Sequence, residues 1–182
     1  MHYRRAQVKG GTYFFTVVTY KRAKILCEME NIQLLRNSFK KVMEKFPFRI
    51  DAFVLLPNHL HCIWTLPPGD VNFSTRWRLI KSNFSRKCND VYKQQNISVS
   101  RKKKNEQAVW QRRFWEHSIR DEMDFKHHVE YIHYNPVKHR LTAAPKEWEF
   151  SSFHRYVKNG KYVSDWGSGQ KMSFNEVHCM EG

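Results

Sequence analysis

The stretch Ile50 to Leu66 constrains this chain more than any other. Two apolar runs, Ile50 to Leu56 and His59 to Leu66, are separated by Pro57-Asn58 and closed by Pro67-Pro68-Gly69. Strand-forming runs divided by two turn residues predict an antiparallel hairpin, because proline presets one turn dihedral and asparagine tolerates the next. Alternate strand residues share a face, so His59 and His61 point one way while Leu60, Cys62 and Trp64 point the other. Imidazoles about 7 Å apart along a strand can converge on one divalent ion. A third ligand from a facing element would leave coordination positions for substrate, which is a catalytic kind of site. A His-x-His pair on a strand is more often structural, so the metal reading needs support from elsewhere.

Charge and a second stretch, Asp124 to Asn135, supply that support. The chain has 182 residues, a formal net charge of +15 and 15% aromatic residues. Such a balance suits a polyanion with stackable bases, with nucleic acid ahead of an anionic membrane surface. No apolar stretch of signal-peptide length follows Met1-His2-Tyr3-Arg4-Arg5. No run approaches the roughly 18 apolar residues of a membrane span either, so the expected location is the cytosol, with no membrane partner. Cys27, Cys62, Cys88 and Cys179 lie far apart without a Cys-x-x-Cys pair, which disfavours a zinc ribbon and predicts reduced thiols. The length suits one domain that buries about 70% of its unfolded surface.

In chain order, Thr12 to Thr19 follows the Gly10-Gly11 turn signal as a nearly continuous apolar run and predicts a first, central strand. Ile32, Leu35, Phe39, Val42 and Met43 recur at helical spacing over 31–45, and Pro47 closes that helix. A helix from an N-cap at Ser74 to about Cys88 carries Trp77, Ile80 and Phe84 on one face and Arg76, Arg78 and Lys81 elsewhere, a place to hold phosphates or an ordinary solvated face. Between Phe84 and Arg113 there are nine Lys/Arg and two Asp/Glu, and the middle lacks apolar patterning. A mobile basic loop, about 90–110, is expected there. Phe114 to Arg120 predicts a fourth strand bearing His117. Asp121 or Asp124 caps the last long helix, which Pro136 should end at Asn135. On that helix Phe125, Val129 and Ile132 form the buried stripe, and His128, Tyr131 and Asn135 form a row along its flank. Tyr134 falls nearly opposite the core. From Val137 onward an aromatic-rich extension shows no clear period, with one short helix expected around 152–157.

Four stretches in this order resemble the REP-associated tyrosine transposases, within the HUH single-tyrosine superfamily. They are Lys9-Gly10-Gly11-Thr12, Leu56 to Trp64, Arg113-Phe114-Trp115-Glu116-His117, and Tyr131-Ile132-His133-Tyr134-Asn135-Pro136-Val137. Together they span nearly the whole chain. The resemblance implies an α+β fold: a ferredoxin-like antiparallel sheet with helices on one face, a catalytic C-terminal helix completing the site, and the aromatic-rich extension beyond. The core would be 1–136 and the packed extension 137–182. His59, His61 and Asn135 would take the metal-ligand positions for Mg²⁺ or Mn²⁺, with Asn135 standing where many insertion-sequence relatives carry glutamine.

Tyr131 matches the family's nucleophile. The implied reaction is nicking and rejoining of single-stranded DNA through a 5′-phosphotyrosine, with REP palindromic hairpins as substrate and the cytoplasm and nucleoid as its place. Candidate DNA contacts are Arg4, Arg5, Lys9, Arg76, Arg78, Lys81, Arg113, Trp115 and His117. A non-catalytic binder of single-stranded hairpins would account for the charge but not for two aligned histidines and a tyrosine. A water-using metal hydrolase would account for the histidines alone, yet Cys62-Ile63-Trp64 stands where such enzymes place further ligands.

Overall fold

The computed structural model describes residues 8–93, 97–174 and 177. Arg4 and Arg5 therefore lie outside the described residues. Four strands, β1 (Thr12–Val18), β2 (Arg49–Leu55), β3 (His59–Thr65) and β4 (Trp115–Ser118), form one sheet in the order β2-β3-β1-β4. Every neighbouring pair is antiparallel. The hairpin closes as its turn residues require, with the Leu56 amide donating to the His59 carbonyl at 2.9 Å across Pro57-Asn58. The Thr19 and Leu26 amides hold that turn through the carbonyls of Asn58 and Pro57.

Strand alternation sorts the core into two layers. On one face Tyr13, Phe15 and Val17 of β1 and Leu60, Cys62 and Trp64 of β3 meet α1 (Met29–Lys45) and α2 (Phe73–Lys87). Trp64 and Trp77 stack there with centroids 4.3 Å apart, so two of the largest side chains fix the sheet-to-helix distance. On the other face Phe14, Ala52, Val54, Leu56 and Ile63 meet Val129, Tyr131 and Ile132 of α4 (Glu122–Lys138). β1 is apolar on both faces because both are covered. The expected antiparallel sheet with helices on one face is present, and the C-terminal helix packs on the other face.

Three local expectations are corrected. The N-cap of α2 is Asn72, whose side chain accepts from the Thr75 amide at 3.0 Å, and not Ser74. α4, capped by Asp121, runs through Pro136 to Lys138. Proline removes only its own N–H, and the His139 and Leu141 amides still reach the carbonyls of Asn135 and Pro136. Part of the basic segment also folds, into α3 (Val99–Lys103). There Arg101 is buried, bonds Glu106 at 2.9 Å and lies 4.4 Å from the Tyr20 ring centroid.

The C-terminal segment returns to the sheet and includes α5 (Phe153–Lys158). The Leu55 and Ser152 amides pair with the Phe150 and Phe53 carbonyls, which covers the β2 edge. His133 of α4 anchors the segment through Ser152 Oγ at 2.8 Å among the rings of Phe153, Tyr156 and Tyr162. Burial there holds its pKa down to about 3, so it serves as a neutral hydrogen-bonding ring. Gly167, at φ 73°, turns the chain where a Cβ would come within 3.3 Å of Tyr134. Tyr134, expected nearly opposite the core, is instead buried beneath this segment, and its hydroxyl donates to the Gln170 carbonyl at 2.7 Å. Cys27, Cys62 and Cys88 are free thiols.

Candidate active site

The pleat of β3 brings His59 and His61 onto the α4 face, buried, with ring centroids 5.0 Å apart. Register places Thr16 opposite His61, and Thr16 Oγ1 bonds His61 Nδ1 at 2.9 Å. His59 Nδ1 bonds the Asn58 side-chain oxygen at 2.7 Å. Each imidazole is thus oriented through Nδ1, the outer partnership that leaves Nε2 as the ligating atom in metal sites.

α4 lays Tyr131 against this pair, its ring 5.3 Å from that of His61 and its surface 1% exposed. Phe14 packs edge-on to Tyr131 at 6.1 Å and stacks on His61 at 5.4 Å, so one β1 side chain spaces nucleophile candidate and histidine. Asn135, one turn after Tyr131, is fully buried on the same helix. Two imidazole nitrogens and an amide oxygen suit Mn²⁺, and also Mg²⁺ with water completing its shell. The residues present therefore fit such an ion.

Sequence reasoning missed two neighbours. The His139 ring lies 5.0 Å from that of His59, and Lys138 Nζ donates to the Tyr131 hydroxyl at 3.0 Å. Their signal was the continued helical period, at seven and eight residues from Tyr131. Ending the helix at Asn135 hid it.

A second cluster flanks the first beyond Phe14, whose ring is 4.8 Å from that of His128. His117 of β4, Asp124 and His128 bring three ligand-type atoms within 4.8 Å of one another. Asp124 Oδ2 accepts from His117 Nε2 at 2.8 Å, the Arg120 amide at 2.9 Å and Arg120 Nε at 3.2 Å. Burial works to raise this carboxyl's pKa, but the bonds from His117 and Arg120 outweigh it and hold it at about 2. His128 Nδ1 bonds the Asp124 carbonyl at 2.8 Å, and burial lowers its pKa. The two rings stack at 4.6 Å. With Arg120 already on the carboxylate, this cluster is a hydrogen-bonded link between β4 and α4 rather than an open ligand set.

The predicted DNA contacts divide. Arg76 is 2% exposed, pairs with Asp70 at 2.6 Å and donates to the carbonyls of Phe46, Pro47 and Asn72, so its guanidinium is held inside the fold and not offered to phosphate as expected. Lys81 donates to the Gln111 and Arg112 carbonyls, and burial with the nearby Arg101 charge lowers its pKa to about 8. It too is committed inward. Arg78 is exposed, but α2 covers the face opposite the histidines. Lys9 and Arg113 are exposed. Trp115 and His117 are half-buried on β4, Trp115 packing toward the α4 layer.

Comparison with known proteins matches residues 7–135 to the family "Transposase IS200 like". The chain is 47% identical to the REP-associated tyrosine transposase of Escherichia coli K12 over 90% of its own length and 89% of the relative's. It is 43% identical to a protein of Haemophilus influenzae described as a putative REP-associated tyrosine transposase, over 91% and 93% of the two chains. A solved structure of a REP-associated tyrosine transposase bound to a REP hairpin superposes with a TM-score of 0.76, at 43% identity and 95% coverage of both chains.

Proposed function

The chain belongs to the IS200-like transposase family, and we propose that it nicks and rejoins single-stranded DNA at REP-type hairpins through a 5′-phosphotyrosine on Tyr131. The observation that carries this reading is the packing of the Tyr131 ring on His61 from a facing helix, with His59 beside it. A hairpin binder without chemistry gives no reason to bury a histidine pair against a tyrosine.

Tyr131 supplies the nucleophile: its oxygen bonds to phosphorus while the bond to O3′ breaks, leaving a 3′-hydroxyl and a 5′-phosphate on the protein. The phosphodiester bond is exchanged rather than hydrolysed, so rejoining needs no nucleotide cofactor. His59, His61 and Asn135 would hold one Mg²⁺ or Mn²⁺, which when bound neutralises and polarises the phosphodiester. Phe14 and Thr16 pack on or bond the strand and helix groups, and Tyr134 takes no part because its hydroxyl is committed to the Gln170 carbonyl. The related transposases' names, and the REP hairpin in the solved relative, support the substrate. The cytoplasm and its nucleoid are the proposed place of action; among the described residues no helix is long and apolar enough to cross a membrane.

The test uses labelled hairpin DNA with Mn²⁺ or Mg²⁺. Cleavage and a covalent adduct are expected with the single-stranded hairpin, and neither in EDTA nor with a perfect duplex of the same sequence. Equal cleavage of duplex and hairpin, or full cleavage in EDTA, refutes the proposal.

A further inference from the structure

Tyr131 is held by more than its ring. Lys138 lies seven residues further along α4, about two turns, so both side chains share one helix face. Its Nζ donates to the phenolic oxygen at 3.0 Å and lies 4.6 Å from the ring centroid. Residue Lys138 is exposed whereas Tyr131 is 1% exposed. A side chain from an exposed residue thus reaches the oxygen of a buried tyrosine. Only the continuation of α4 through Pro136 makes this contact possible, because a helix ending at Asn135 would leave Lys138 without a defined direction.

We propose that Lys138 is a catalytic residue for strand cleavage and rejoining: it orients the Tyr131 hydroxyl and places positive charge on the oxygen that attacks in one direction and leaves in the other. The inference rests on the reading of Tyr131 as nucleophile. In cleavage a lone pair of Tyr131 Oη forms the bond to phosphorus, and the P–O3′ electron pair leaves with O3′. O3′ takes a proton from water, and the phenolic proton passes to water. Lys138 is the donor to Oη in this geometry, so it is not the acceptor of that proton. Rejoining reverses each step: the 3′-hydroxyl oxygen bonds to phosphorus and gives its proton to water, and the P–Oη pair returns to Tyr131. In both directions negative charge gathers on Oη as the bond is half-formed. A fixed charge at that oxygen stabilises the transition state more than the ground state.

A purely structural lysine would anchor the ring by cation–π contact, and the variants separate the two roles. Lys138→Met, Lys138→Arg and Tyr131→Phe full-length proteins are compared on the labelled single-stranded hairpin with Mn²⁺. The measurements are thermal midpoint, hairpin affinity, single-turnover cleavage rate, and the rate at which isolated adduct rejoins an added 3′-hydroxyl strand. Lys138→Met should fold and bind hairpin like wild type but cleave about 10²-fold more slowly, in the range seen when one transition-state donor is removed. Rejoining should slow in parallel, and Lys138→Arg should recover most of both rates. Wild-type cleavage by Lys138→Met, with Tyr131→Phe inactive, overturns the role of Lys138 and leaves the nucleophile standing. Equal defects in Lys138→Arg and Lys138→Met overturn it likewise, because charge would not be what matters. Cleavage by Tyr131→Phe at the wild-type rate overturns both readings.

Discussion

Asp124→Asn is the perturbation whose consequence can be worked furthest from the structure. Residue Asp124 is 6% exposed; its carboxylate joins α4 to β4 through His117 and also holds Arg120 of the connecting turn and His128 of its own helix. Its pKa falls from 3.8 to about 2 in the folded protein. At about 1.4 kcal/mol for each tenfold change in proton affinity, that fall is worth about 2 kcal/mol of folding stability. A depressed folded pKa means the contribution is complete above the unfolded value near 3.8 and is lost as pH falls through about 2. Asparagine keeps the shape and one acceptor oxygen but no charge. Urea unfolding of wild type and Asp124→Asn should therefore differ by about 2 kcal/mol at pH 7, hold that gap down to pH near 4, and close it toward pH 2. A gap that is absent at pH 7, or that stays constant to pH 2, would refute the argument that charged hydrogen bonds lock this corner.

Other expectations test the division between structural and DNA-facing residues. Arg76→Ala should cost about 3 kcal/mol in urea unfolding, since it strips a buried partner from Asp70 and from three carbonyls. Arg113→Ala should leave stability within about 0.5 kcal/mol and reduce the salt dependence of hairpin binding by about one counterion. His61→Ala should abolish cleavage while hairpin affinity, carried mostly by phosphate contacts, survives; matched titrations of binding and cleavage check it. Tyr134→Phe should lose about 1 kcal/mol with its bond to Gln170 and keep wild-type cleavage.

The hairpin, the order of elements and the central position of β1 were legible in the sequence because each follows from a local period: alternation in the strands, apolar spacing in the helices, and Pro57-Asn58 between. The same periodicity marked His128, Tyr131 and Asn135, which are all buried on α4. What lay beyond reach depended on tertiary context. Pro136 is a helix stop by local rule, yet two downstream amides continue the turn, and that error concealed Lys138 and His139. Arg76 and Arg78 look alike in sequence, but Asp70 and the Phe46 and Pro47 carbonyls draw only the first inward. Arg101 and Glu106 likewise turn part of an apparently featureless basic segment into folded structure. The burial of Tyr134 depends on Gln170 and Phe174, more than 30 residues away, which no period in α4 can announce.

On the proposed mechanism Tyr131, and not Tyr134, becomes joined to DNA. The adduct formed on single-stranded hairpin with Mn²⁺ can be digested with protease and its DNA-bearing peptide sequenced by mass spectrometry. A nucleotide 5′-phosphate on Tyr131, with no adduct from a folded Tyr131→Phe protein, is the predicted result. A link on Tyr134, or an adduct from Tyr131→Phe, would contradict it.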